Sequence, residues 1–288
     1  MVRRTDGAGF DKRLPRLKKH YPLPFFLANS ALAIHALVRA AAGRGATRPG
    51  WLAAAATHAV VAAHVPRNWP RRTSSLASLA WSSAVGTAIT ALVGARAGPM
   101  LSVTTVGLAG STVFRTWFAT FGRRPSDALT VGSLLPELTL RTLDGRSFST
   151  TELRGQPAAL FFYRGAWCPF CTTQIRSLAE GYEQLAARGV RTVMISPQPQ
   201  RDSQELARRF DVDMLWLTDP DLTAAAILGI VELDGVPTGT PGDVGTDTVL
   251  PTLIVVDENL HIIGAHETNE FRRRPDATTV LDILDGLN

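Results

Sequence analysis

Two cysteines stand three residues apart in RGAWCPFC, residues 164–171, as Cys168 and Cys171. They are the only cysteines in the chain, too few for a disulfide scaffold or an all-cysteine structural zinc site. The motif follows an apolar run, PAALFFY (157–163), and opens a helical pattern over 171–188. A cysteine at a helix start meets free backbone N–H groups and the positive end of the helix dipole, which stabilise a thiolate. Cys168 is therefore expected to attack, and Cys171, within one turn, to resolve a mixed disulfide. Arg164 adds a positive charge that lowers a thiolate pKa, and Trp167 shapes the contact surface. Pro169 and Phe170 fill the gap between the thiols. Zinc held by both cysteines with His261 and His266 is disfavoured, because residues five apart on one strand point to opposite faces. Neither cofactor nor metal is expected.

The elements that must position this motif alternate between strand and helix. VGSLLPELTLRTLDGRSFST (131–150) reads as a hairpin about Asp144-Gly145. Strands are expected at 157–163, 190–197 and 213–219, with helices near 203–210 and 221–229 between and after the later ones. A strand pair at 250–257 and 260–267 turns at Glu258-Asn259, and a helix closes the chain at 278–287. Such alternation implies an α/β domain over 131–288 with a central mixed sheet flanked by helices. ELDGVPTGTPGDVGTD (232–247) interrupts it as a loop long enough to be an active-site flap.

Residues 131–288 resemble the thioredoxin-fold redoxins, in particular the peroxiredoxin-like branch of the alkyl hydroperoxide reductase and thiol-specific antioxidant superfamily. The resemblance is carried by VGSLLPELTL, DGRSFSTTELRGQPAALFFYRGAWCPFC, VMISPQPQ, LTDPDLTAAAILGI and LPTLIVVDENLHIIGAHE. It implies a thioredoxin-like fold and thiol redox chemistry. The family's PxxxTxxC motif, laid with its attacking cysteine on Cys171, puts Arg164 at the Pro position and Cys168 at the Thr position. The family's arginine before the late strand is replaced by Leu250. Leu250-Pro251-Thr252 instead resembles the cis-proline turn of thioredoxins, in which the proline packs beside the disulfide and leaves the preceding backbone free for substrate. The buried acid of thioredoxins is replaced by Phe162.

The first half has a different composition. Residues 1–130 hold 17 basic side chains and three acidic ones, against 13 basic and 22 acidic in 131–288. Between Asp11 and Asp127 there is no acid at all. Uncharged runs occupy 21–38, 49–66, 73–95 and 97–114, each near the length a bilayer crossing needs. Residues 1–125 are therefore expected to form an all-α region with four transmembrane helices, at about 21–41, 50–66, 74–95 and 98–118. Basic residues concentrate in the N-terminal tail, the second loop and the segment after 114, which puts both termini in the cytoplasm. His35, His58 and His64 fall inside the runs and are expected to be neutral and hydrogen-bonded.

These readings predict a multi-pass protein of the cell membrane with a cytoplasmic redox domain, acting as a CxxC thiol–disulfide oxidoreductase in which Pro251 and Thr252 border the dithiol. The second expectation is a membrane-tethered thiol peroxidase, with Cys171 oxidised by a hydroperoxide and Cys168 condensing with it. The third is a redox-sensing membrane protein without turnover. Expected partners are a protein or small-molecule disulfide or hydroperoxide, a thiol electron donor and membrane lipid, but no nucleic acid.

Overall fold

A computed structural model of the chain describes residues 22–42, 48, 51–56, 58–59, 85, 88, 105–106, 109–110, 112–210, 212–240 and 242–286. The C-terminal part is built on a seven-stranded sheet, ordered β2-β1-β5-β4-β3-β8-β9. Its strands are β1 (Thr139–Thr142), β2 (Ser147–Ser149), β3 (Ala158–Phe162), β4 (Arg191–Ser196), β5 (Leu215–Thr218), β8 (Thr252–Val256) and β9 (Ile262–Glu267). A separate two-stranded ribbon pairs β6 (Val231–Glu232) with β7 (Thr248–Val249). β3, β4 and β5 run parallel, β8 pairs antiparallel with β3 and β9 antiparallel with β8, and the β1–β2 hairpin joins β5 antiparallel at the far edge. This is the mixed sheet of a thioredoxin-like α/β fold. β3 lies in the interior and is buried at all five positions, which is why its sequence is an unbroken apolar run rather than an alternation.

The helices of this part are α2 (Pro169–Glu180), α3 (Tyr182–Ala187), α4 (Gln200–Ala207), α5 (Thr223–Ile227) and α6 (Ala277–Asp285). The sequence reads 171–188 as one helix, whereas the chain breaks it at Gly181. A Cβ there would come within 2.5 Å of the Ala277 Cβ, so the glycine lets α6 pack closely against the joint. α6 itself starts at a capping box in which the Asp276 side chain accepts from the Thr279 N–H. Apolar side chains fill both faces of the sheet. One cluster holds Phe161, Cys168, Cys171, Ile175 and Leu253; the other holds Leu138, Leu160, Val193 and Ile254.

The N-terminal part contains α1 (Pro22–Ala42), and residues 51–56 are also helical. Phe25, Asn29, Ala33, Ala36 and Ala40 are buried, spaced as one helical stripe, whereas Leu27, Ile34, Leu37 and Val38 are exposed. Ala36 and Ala40 pack with Trp51, Ala54 and Ala55. Asn29 Oδ1 lies 3.0 Å from Nδ1 of the fully buried His58. His35 is exposed, with its ring edge-on to Trp51. Among the described residues, no helix is long and apolar enough to cross a membrane, so α1 does not bear out the span expected at 21–41. Most of the spans expected at 50–66, 74–95 and 98–118, and His64, lie outside the described residues.

The two parts are joined closely. After a π-helical turn at Phe114–Phe118, the chain lies along the C-terminal part. Phe271 N–H donates to Ala119 O and Phe121 N–H to Asn269 O. The Arg123 guanidinium reaches Glu267 at 2.6 Å, Thr252 Oγ1 at 3.0 Å and Pro251 O at 3.2 Å. Phe25 stacks on Phe114, with centroids 5.1 Å apart.

Candidate active site

β3 ends at Phe162, and a short loop carries Arg164 to Trp167 before α2 begins. Cys168 is the N-cap of α2 and Pro169 its first residue, a position where a missing N–H costs the helix nothing. Gln198 holds the loop from the side. Its Oε1 accepts from Ala166 N–H at 2.6 Å, and its Nε2 donates to Tyr163 OH at 3.2 Å and Ser203 Oγ at 2.9 Å. Burial raises the Tyr163 phenol, so it stays protonated beside the thiols.

Both sulfurs are enclosed: Cys168 is 3% exposed and Cys171 0%. They are free thiols within one turn of each other, with Cys171 N–H donating to Cys168 O at 3.0 Å. Donation from the Cys171 S–H holds Cys168 well below the ordinary thiol range; burial opposes this, and the charges of Arg164 and Arg274 assist it. Cys171 is pushed well above that range, first by burial and then by its bond to Cys168 and the negative charge there. The two thiols are thus shifted in opposite directions, Cys168 toward the thiolate and Cys171 toward the protonated thiol.

Two guanidiniums flank it. Arg164 donates to the Gly235 carbonyl and lies 3.2 Å from Glu232 Oε2, so the flap expected at 232–247 is anchored at its base to the site. Burial pulls Arg164 down, but Glu232 and the two thiols more than reverse this. Arg274 is 7% exposed, and none of its three guanidinium nitrogens has a hydrogen-bond partner. Burial lowers it, against the attraction of Cys171, Cys168 and, least, Glu232, while Arg164 repels it. Its position is fixed by neighbours: Gln174 on α2 donates to Pro275 O at 2.9 Å, and Phe271 packs against Phe170 between the two cysteines. Phe121 lies 5.6 Å from each guanidinium, and Trp167 lies 4.9 Å from that of Arg164, distances at which the ring faces attract a cation.

Cys168, Cys171, Arg164, Trp167 and Pro169 thus meet at one place. Pro251 and Thr252 are engaged differently from the sequence reading. No described peptide bond is cis, so the cis-proline turn is not formed. The Leu250 N–H donates to Ile230 O at 2.7 Å, and Leu250 O accepts from Thr252 Oγ1. That backbone is spent inside the fold rather than left for a substrate. Pro251 O and Thr252 Oγ1 both accept from Arg123. Sequence reasoning missed Glu232, Arg274, Phe121 and Gln198. Arg274 sits in a basic run, RRRP, which reads as a solvated surface; only packing shows that Arg272 and Arg274 are buried and Arg273 exposed. No group of three or more His, Cys, Asp or Glu suited to a metal occurs among the described residues.

The sheet order, the strand-to-helix placement of the dithiol and the family match then agree. Residues 131–265 match the AhpC/TSA family. This segment is an AhpC/TSA domain, a peroxiredoxin-like member of the thioredoxin fold. Peroxiredoxin Q of Gentiana triflora is 30% identical over 88 residues, 31% of this chain and 41% of that protein. Putative peroxiredoxin bcp of Haemophilus influenzae is 28% identical over 102 residues, 35% of this chain and 66% of that protein. The chain spans about two fifths of the length of the plant relatives it matches. The crystal structure of peroxidoxin BcpB from Mycobacterium tuberculosis gives a TM-score of 0.46 at 22% identity, covering 56% of this chain and 99% of that one. Arg274 and Phe121 both lie outside the segment that matches the family.

Proposed function

We propose that the AhpC/TSA domain is a thiol-dependent peroxidase that uses Cys168 and Cys171 as its redox couple. The observation that carries this is the enclosure of both sulfurs. With 3% and 0% exposure, they suit a small hydroperoxide better than the disulfide of a folded protein. The absence of a free backbone edge at Leu250 weighs the same way, against the thiol–disulfide oxidoreductase. The matched relatives are named peroxiredoxins, which supports the same chemistry.

The reaction follows from the charges. The Cys168 thiolate attacks the terminal oxygen of ROOH, the O–O bond breaks, and RO⁻ leaves as ROH after taking a proton. Cys168 becomes a sulfenic acid. Cys171, held protonated by burial, gives up its proton as its sulfur displaces hydroxide from Cys168, releasing water and forming the disulfide. Two equivalents of an external thiol restore the dithiol. This order departs from the family frame, which puts the attacking cysteine at Cys171. The low Cys168 pKa and its two arginines favour Cys168. A brief peroxide pulse on the single variants, with sulfenic acid trapped and read by mass spectrometry, tests it. Sulfenic acid is expected on Cys168 in Cys171→Ala. Rapid trapping on Cys171 in Cys168→Ser would reverse the roles, and no trapping in either would remove the peroxidase reading.

The proposal includes a multi-pass membrane location for residues 1–125, with the domain on the cytoplasmic side. Its support is the acid-free stretch from 12 to 126 and the concentration of basic residues in alternate loops. Resistance to alkaline carbonate extraction and a cytoplasmic score for a reporter fused after Arg124 are expected. Release into the carbonate wash would remove the membrane location, and a periplasmic score would invert the topology.

A further inference from the structure

The charges around the dithiol do not stay balanced through the cycle. In the reduced state Arg164 is paired with Glu232, and Arg274 is attracted by both cysteines, Cys171 first and then Cys168. When the disulfide forms, the thiolate charge disappears while Arg274 stays buried. All three of its guanidinium nitrogens lack hydrogen-bond partners, and Glu232, the weakest of the attractions on Arg274, is in contact with Arg164 instead. An enclosed guanidinium without a bonded counter-charge is costly, and its planar fork matches a carboxylate. Phe121 and the Gln174–Pro275 contact hold that fork in place.

We propose that Arg274 is the binding site for the carboxylate of a small anionic thiol, which is the reductant of the Cys168–Cys171 disulfide. The inference rests on the peroxidase reading for the oxidising half of the cycle and names the class of reductant for the other half. The bound thiol, as its thiolate, attacks one sulfur of the disulfide; the S–S bond breaks and the other cysteine leaves as a thiolate. A second thiolate attacks the mixed disulfide, giving the reductant's own disulfide and the reduced pair. Two electrons pass from two thiols to one protein disulfide. The enclosure of both sulfurs favours such a small donor over a folded protein.

Three probe thiols read this directly: 3-mercaptopropionate, 2-mercaptoethanol and cysteamine, which carry negative, neutral and positive ends. The full-length protein in detergent is oxidised to its disulfide in separate samples with hydrogen peroxide and with diamide, so the reducing step is measured whether or not peroxide is a substrate. Each rate is divided by the same thiol's rate on bis(2-hydroxyethyl) disulfide, which removes differences in thiol basicity. The normalised rate is expected to fall from the anionic to the neutral to the cationic thiol, with roughly tenfold between the ends, from one charge contact in a site of reduced dielectric. Added salt should narrow the spread. Arg274→Gln should abolish the order and Arg274→Lys should retain it. Equal normalised rates in the unaltered protein overturn the proposal, and so does an order that persists in Arg274→Gln. Should the glutamine variant fail to fold, the unaltered protein's charge order and its salt dependence still decide. Failure of peroxide alone to form the disulfide counts against the peroxidase reading and leaves this result standing.

Discussion

Arg123→Met should loosen the attachment of the N-terminal part to the AhpC/TSA domain. The Arg123 side chain is 3% exposed and its partner Glu267 18%. The guanidinium bonds Glu267, Pro251 O and Thr252 Oγ1, while Ser126 N–H donates to the same carboxylate at 3.1 Å and 3.2 Å. Removing one partner of a buried ion pair costs about 3–5 kcal/mol, because the other charge stays behind. Glu267 retains Ser126 and some water contact, so the cost belongs at the lower end, about 3 kcal/mol. For a unit of this size that corresponds to a fall in Tm of about 6–12 °C. Thermal and urea unfolding of the full-length protein, followed by near-ultraviolet circular dichroism, measure it. Glu267→Gln and the double variant complete a cycle, with an expected coupling of about 1–3 kcal/mol. A loss below about 1 kcal/mol for Arg123→Met, with single effects adding to within about 0.5 kcal/mol, would refute the claim that this pair locks the linker to the domain.

Cys171→Ala removes the largest influence that lowers Cys168. A hydrogen bond to a charged group is worth about 1.5–3 kcal/mol, so the Cys168 pKa should rise. Iodoacetamide labelling of Cys168 at mildly acidic pH should slow by about tenfold or more, with little change at alkaline pH. Limited proteolysis should cut first in the exposed outer part of the flap, around 237–239 and 242–246, and leave the sheet intact. His266 is held below its ordinary pKa, first by burial and also by the charges of Arg123 and Arg274. The unfolded chain therefore binds a proton there before the folded one does. The stability it contributes is present above about pH 6.5 and is lost as the pH falls through its folded value. His266→Asn should flatten that part of a pH series of urea midpoints.

The sequence by itself determined what depends on neighbours along the chain. An apolar run, two cysteines three apart and a helical pattern suffice to put a dithiol at a helix start, because strand, turn and N-cap are local events. The β1–β2 hairpin at Asp144-Gly145 and the β8–β9 pair were legible for the same reason. The acid-free first half is a matter of composition, visible without coordinates. Tertiary structure decided what distance along the chain conceals. Gly181 interrupts the helix only because Ala277 packs there. Leu250-Pro251-Thr252 resembled a substrate-facing turn, yet its polar groups are taken by Ile230 and Arg123. Glu232 is 68 positions after Arg164 in sequence, and Arg274, from a run that reads as solvated, reaches the dithiol only after α6 and the end of β9 fold against α2. Burial sets the charges there: the same removal from water that lifts Cys171 and depresses Arg274 makes each remaining partner count, and burial is a property of the packed fold.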